Sequence, residues 1–293
     1  MKSHLKWTAL AVVLVVTAPT FAADTGWKSV DDALGKAGAD LPGGVHKYGL
    51  PRTDLDVTID GIALKPGFAL GGWLGFLPMG DRVAVMGDLV LLETEVNPVM
   101  KKLEEGGIEI TAVHNHLLRM SRPVFYMHVG GTGDPVKIAE TIHAALALSK
   151  TPFETMAAPA ALIDLDTAAI DGILGYKGQV NGGVYQIGVP RPEAIMMDGI
   201  AVPPSLGTAT AINFQPLGKG QAAITGDFVL LGAEVNPVIR ALRENGIEVT
   251  ALHSHMLGDQ PHLFFLHFWA HDDARKLARG LRAALDQMNS KKG

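Results

Sequence analysis

Apolar positions along the chain change their period in a fixed order, and the order occurs twice. "RVAVMGDLVLLE" (Arg82–Glu93) and "QAAITGDFVLLG" (Gln221–Gly232) are dense runs of β-branched and apolar residues, which predict strands. "NPVMKKLEEGG" and "NPVIRALRENG" follow with helical spacing. Asn97 and Asn236 suit the N-cap, Pro98 and Pro237 the first helical position, and Gly107 and Gly246 the stop. "IEITAVHNHLL" then predicts a strand, a turn falls near Arg119 to Arg122, and "PVFYMHVGG" returns as its partner. "DPVKIAETIHAALALSK" and "DDARKLARGLRAALDQM" are amphipathic helices that close each unit. The reading is α+β: a strand-strand-helix-strand-strand-helix sandwich, its sheet mainly antiparallel and its helices on one face.

The two units are copies. Gly87–Leu118 and Gly226–Leu257 align without gaps at 20 identities in 32 positions. "ALGKAGADLPGGVHKYGLPR" (Ala33–Arg52) also matches "ILGYKGQVNGGVYQIGVPR" (Ile173–Arg191), and "DGIAL" at Asp60 matches "DGIAV" at Asp198. A repeat of this length is a domain rather than a solenoid unit. The expected division is 1–22 as a signal peptide, 28–150 as the first repeat, 151–166 as a linker and 167–290 as the second repeat.

The N-terminal segment carries Lys2 and Lys6, an apolar run from Ala9 to Val16, and small residues around Thr20 and Ala22. That layout predicts a secretory signal peptide, and the apolar run is too short for a span of about 20 residues. Periplasmic or secreted localisation follows, with no membrane span after cleavage. Removal of both lysines takes the formal charge from −5 to −7. Such an acidic chain without a basic run argues against nucleic acid as a partner. The absence of cysteine excludes disulfides, thiolate ligands and lipidation at a lipobox.

Chemistry concentrates in the "HNH" and "HSH" strands. Alternation along a strand places His114 and His116 on one face, together with Ile108, Ile110 and Ala112. His253 and His255 share a face with Ile247, Val249 and Ala251. The returning strands add His128 and His267. A hairpin loop over Arg119–Pro123 sets Leu118 opposite Val124, His116 opposite Tyr126 and His114 opposite His128. Glu95 and Glu234 sit at the ends of the preceding strands and are expected near their own histidine trios, if the intervening helix makes a right-handed crossover. Three imidazoles and a carboxylate form a ligand set for a divalent ion (zinc, iron, copper or manganese), with one site per repeat. In a metal-assisted reaction Glu95 or Glu234 is the candidate catalytic base.

The alternative is a structural module of the envelope, with the histidines as a buried polar network and a cleft or sheet face binding a small molecule or envelope partner. Adjacent imidazoles in a core need many hydrogen-bond partners, which weighs against that version. Whether the chain is an enzyme stays open. The short "HNH" is no HNH nuclease, whose residues are spread over a longer unit, and no G-x-S-x-G elbow occurs. His46, His262 and His271 read as ordinary surface or turn residues, and Arg52 and Arg191 as partners of internal salt bridges in preference to binders of an anion. Arg119, Arg122 and Tyr126 in copy one, against Gly258, Pro261 and Phe265 in copy two, suggest that copy one works and copy two is the more structural.

"GDFVLLGAEVNPVIRALRENGIEVTALHSHML", "FFLHFWA" and "LARGLRAAL" resemble the LppY/LpqO family of bacterial secreted proteins, a tandem domain of unknown function, over both copies. The resemblance implies export to the cell envelope and no particular activity.

Overall fold

The computed structural model describes residues 26–153 and 163–293; the expected signal peptide and part of the connection lie outside them. The first repeat runs α1 (Lys28–Leu34), β1 (Ala39–Leu41), β2 (Val45–Pro51), β3 (Thr58–Ile59), β4 (Ile62–Ala63), α2 (Pro66–Ala69), β5 (Gly71–Met79), β6 (Arg82–Leu92), α3 (Glu93–Glu105), β7 (Glu109–His114), β8 (Val124–Gly133) and α4 (Pro135–Leu146). The second runs α5 (Thr167–Leu174), β9 (Gln179–Asn181), β10 (Val184–Val189), β11 (Ile195–Met197), β12 (Ile200–Val202), a 3₁₀ turn at Pro204–Leu206, β13 (Thr210–Gly218), β14 (Gln221–Leu231), α6 (Gly232–Glu244), β15 (Glu248–His253), β16 (Asp259–Gln260), β17 (Leu263–Asp273) and α7 (Ala274–Leu285). Each repeat builds a six-stranded antiparallel sheet, in the orders β1-β2-β5-β6-β8-β7 and β15-β17-β14-β13-β10-β9. The tandem α+β sandwich is therefore the architecture.

Both faces of each sheet are covered, by different things. Along β6, Val83, Val85, Leu89 and Leu91 pack with the helices of their own repeat. Met86 and Val90 point the other way, into clusters that contain residues of both repeats. In β14, Ala222, Ile224, Phe228 and Leu230 face their helices, while Ala223 and Val229 join the shared clusters. The layers are thus helix, sheet, sheet, helix. Strands buried on both faces lose the apolar-in, polar-out alternation of a half-exposed sheet, which is why β6 and β14 read as unbroken apolar runs.

Polar contacts tie the sheets together across this interface. Thr250 donates its hydroxyl to the His116 carbonyl at 2.6 Å, and the Trp269 indole donates to Asp60 at 3.0 Å. Arg119 bridges Asp60 of its own repeat and Glu248 of the other, at 3.0 Å each. At the Asp60-Gly61 and Asp198-Gly199 turns both residues adopt positive φ, as tight hairpins require.

Two local expectations are corrected. Helices α3 and α6 begin four residues before Asn97 and Asn236, which leaves Pro98 and Pro237 inside them. The cap comes from the third helical residue: Glu95 accepts from the Leu92 N–H at 2.8 Å, and Glu234 from the Leu231 N–H at 2.7 Å. His46, expected at the surface, is buried, stacks on Trp27, and bonds Asp40 at 2.7 Å and Asp31 at 3.1 Å.

Arg52 and Arg191 are buried and hold those same glutamates. Arg52 donates to Glu95 at 2.7 Å, to Asp54 at 2.8 Å and to the Val90 carbonyl at 2.8 Å. Arg191 repeats the pattern with Glu234, Glu193 and Val229. Removing one member of a buried ion pair costs about 3–5 kcal/mol. Glu95→Ala and Glu234→Ala are accordingly expected to lose that much stability in urea unfolding; a loss under about 1 kcal/mol would mean the ion pair is not a support of the fold.

Candidate metal centre between the repeats

The pairing register differs from expectation by one pleat. A β-bulge interrupts β7 between Ile110 and Ala112, so that Ala112 opposes His128 and His114 opposes Tyr126. The bulge also changes the phase of the strand. Ile108 and Ile110 pack on the helix side, whereas Ala112 pairs with a residue of the inter-repeat face. His114 and His116 therefore do not share a face with Ile108 and Ile110. The same bulge lies between Val249 and Ala251 in β15.

The consequence is one shared cluster in place of two separate sites. His114 stacks on His253 with ring centroids 3.5 Å apart, His116 on His267 at 3.8 Å, and His128 on His255 at 3.6 Å. Each pair takes one ring from each repeat. Asp88 and Asp227 complete the set, placed by the registers Asp88↔His128 and Asp227↔His267. Asp88 lies 3.9 Å from His116 Nε2 and 3.8 Å from His128 Nε2; Asp227 lies 3.8 Å from His255 Nε2 and 3.9 Å from His267 Nε2. These spacings exceed a hydrogen bond. They suit atoms separated by an ion with bonds of about 2.0–2.2 Å.

Six Nε2 atoms (His114, His116, His128, His253, His255 and His267) and the Oδ1 atoms of Asp88 and Asp227 are buried without a hydrogen-bond partner among the described residues. Four three-residue groupings bring their ligand atoms within 4.8 Å of one another: Asp88, His116 and His128; Asp227, His255 and His267; His114, His128 and His255; and His114, His253 and His267. Where a second ring nitrogen is bonded, it meets a backbone carbonyl. His267 Nδ1 lies 2.9 Å from the Gly226 oxygen, and His114 and His253 approach those of Asn115 and Ser254 at 3.4 and 3.5 Å. Donation from Nδ1–H leaves the Nε2 lone pair free for a cation.

Glu95 and Glu234, expected beside the trios, belong to none of these groupings among the described residues. Their oxygens are taken by Arg52 and Arg191 and by the helix caps. The acids of the cluster are the two aspartates, which sequence reasoning missed. A signal was present: an aspartate in the middle of each apolar strand, at the same place in "GDLVLLE" and "GDFVLLG". Tyr126 stacks on His116 at 3.3 Å, but Phe265 stacks on His255 at 3.5 Å in the same way, and the Tyr126 hydroxyl is donated to the Ala69 carbonyl. Arg119 is held in the inter-repeat bridge. The expected division into a working and a structural copy fails on this geometry, since each of the three closest histidine pairs takes one ring from each repeat.

Burial sets the charge state. It lowers His114 to about 4 and His253 to about 3, and holds the other four imidazoles well below their ordinary range. Burial also raises Asp88 and Asp227 well above the carboxylate range; Lys47 opposes the shift at Asp88, and Asp88 reinforces it at Asp227. Neutral imidazoles are the form that ligates a cation, whereas the two raised carboxyl groups would have to release their protons to a divalent ion.

The chain belongs to the family described as Domain of Unknown Function (DUF1259), which matches residues 28–148 and 168–287. Comparison with curated proteins gives no match. Among solved structures, the trimeric bacterial microcompartment shell protein PduB is 13% identical, with 86% of this chain and 91% of that chain covered at a TM-score of 0.22. EtuB from Clostridium kluyveri is 8% identical, with 85% and 90% covered at 0.21. Scores this low carry no structural argument.

In metal-free protein the depressed histidines give stability that is intact above their unfolded pKa of about 6.5 and is lost as pH falls. For His114 the loss runs from about 6.5 down to about 4, at about 1.4 kcal/mol per pH unit. The raised aspartates act oppositely, favouring the fold while protonated. With six rings against two acids, the metal-free melting temperature is expected to drop between pH 7 and pH 5. A flat profile would contradict neutral burial of the rings.

Proposed function

We propose that the chain binds divalent metal at this inter-repeat centre, with Asp88, His116 and His128 as one ligand set, Asp227, His255 and His267 as a second, and His114 and His253 between them. The observation that carries the reading is the convergence of eight buried, partnerless ligand atoms. A structural polar network would use hydrogen bonds, and these rings stack on one another without making any at Nε2. Imidazole plus carboxylate suits zinc, iron, copper or manganese. A bound ion supplies Lewis acidity and an activated water. The chain's own residues bury the ligand atoms, and backbone carbonyls hold Nδ1 of His114, His253 and His267. With Glu95 and Glu234 committed to arginine, the carboxylates able to act at the ion are Asp88 and Asp227.

Export is the second part of the proposal. It rests on Lys2, Lys6, the apolar run from Ala9 to Val16 and the small residues up to Ala22, and on the resemblance to the LppY/LpqO family. No helix among the described residues is long and apolar enough to cross a membrane. Fractionation and N-terminal sequencing are expected to find a periplasmic or secreted protein beginning at Ala23; an intact Met1 would refute cleavage.

Elemental analysis of untagged protein is expected to find up to two metal equivalents per chain. His114→Ala and His253→Ala should reduce the content alike, because both rings lie in the same stack. Asp88→Asn separates the readings further. It removes a buried acid, so it should leave metal-free stability unchanged or higher while weakening metal affinity at least tenfold. A melt indifferent to chelator and to all four metals, with none found by analysis, would return the centre to a structural role.

A further inference from the structure

The repeats place equivalent ligands around the centre, yet its two ends are built differently. Trp73 and Met86 in the first repeat correspond to Ala211 and Thr225 in the second, as the pairings Trp73↔Asp88 and Gly75↔Met86 against Ala211↔Asp227 and Asn213↔Thr225 show. At the His128–His255 end, Trp73, Met86, Leu206 and Met256 close on the rings and leave about 10 Å³. The closure is tight: a Cβ at Gly75 would come within 2.4 Å of Leu206, and one at Gly207 within 3.0 Å of Trp73. At the His116–His267 end, the smaller Ala211 and Thr225 leave a cleft of about 410 Å³ that reaches both aspartates. That volume is within the range of small-molecule sites.

The cleft also has a polarity. Lys47 lines it, with its ammonium 2.9 Å from the Ser205 carbonyl and 4.0 Å above the Trp73 ring. The matching residue of the second repeat is the neutral Gln186, which lines the same cleft and donates to the Gly67 carbonyl at 2.9 Å. Asn213 stands there too, and no hydrogen bond of its side chain occurs among the described residues. Once Asp88 and Asp227 serve a metal, Lys47 is the remaining charged side chain lining the cleft among the described residues.

We infer that small carboxylate-bearing molecules reach the metal centre through the Ala211–Thr225 end alone, with Lys47 as the anchor for the carboxylate and Asn213 as a neutral hydrogen-bonding group. The inference rests on the metal-binding proposal and adds to it the ligand class and the direction of entry. An ammonium beside a ring face, partly withdrawn from water, attracts an anion more strongly than an exposed lysine does.

The test uses the full mature chain loaded with zinc, its metal content measured before and after NMR titration with butyrate, and with butyramide as the neutral isostere. Butyrate is expected to bind at least tenfold more tightly than butyramide. Lys47→Gln should remove most of that preference with zinc retained. Ala211→Trp, which restores the residue of the closed end, should abolish butyrate binding with zinc retained, and Thr225→Met provides the same blockage should the tryptophan not fold. Zinc-loaded protein that binds both probes equally, or that binds butyrate undiminished in the folded blocking variant, would overturn this inference and leave the metal proposal standing. Protein that takes up no zinc or other metal would overturn both.

Discussion

The constraint on which the molecule turns is the burial between two sheets of six imidazole Nε2 atoms and two carboxyl Oδ1 atoms that have no hydrogen-bond partner among the described residues. Each unsatisfied buried polar group costs about 1–3 kcal/mol, so eight cost on the order of 10 kcal/mol, comparable to the whole stability of an ordinary domain. The apolar clusters flanking the histidines have to offset that cost. One gathers Val90, Tyr126 and Phe68 with Val184 and Trp269, and the other Val45 and Met86 with Val229 and Phe265. Both draw residues from each repeat, so the surfaces that hold the sheets together also enclose the polar centre. An ion bound by those atoms would convert the cost into binding energy.

Placement of the ligands depends on a second buried polar unit outside the centre. Arg52 bonds the Val90 carbonyl two residues beyond Asp88, and through Glu95 it fixes the start of α3. Arg191, Val229 and Glu234 do the same beside Asp227. The strand that carries the acid and the helix that follows it are thereby locked to the loop after β2 or β10. A glutamate at a strand end can serve the site without touching it. That is the physical reason for the misplacement of Glu95 and Glu234 from sequence: proximity along the chain was right, but the arginine partner lay 43 residues away in each repeat.

Much of the fold was legible because its signals are local. Duplication shows directly in the residues, and the switch from strand to helix period lies within a few residues of the elements it determines. The six histidines were legible as ligand candidates for the same reason. What could not be read was relational. The bulges after Ile110 and Val249 are a one-residue matter that no apolar pattern marks, and each reverses which face the histidines share. The assembly of the trios into one cluster follows from sheet-on-sheet packing, a property of the pair of repeats. Asp88 and Asp227 were the avoidable omission, since a charged residue inside an apolar strand has to be paired, protonated or bound to a cation.

Duplication explains the symmetry of the centre, and divergence explains its use. Two identical repeats facing one another would present the same surface twice, as in an isologous dimer. Each repeat supplies a complete Asp-His-His group, while His114 and His253 meet between them. Such a centre has two equivalent approaches, and two are redundant for a ligand that needs only one. Fusion into a single chain lets the ends be edited separately. Trp73 and Met86 can fill one end while Ala211 and Thr225 clear the other, and Lys47 can keep a charge that Gln186 lacks. The ligands themselves cannot diverge so freely, because each of the six histidine rings stacks on a histidine of the other repeat. Functional asymmetry therefore belongs to the walls of the centre, and its floor remains common to both copies.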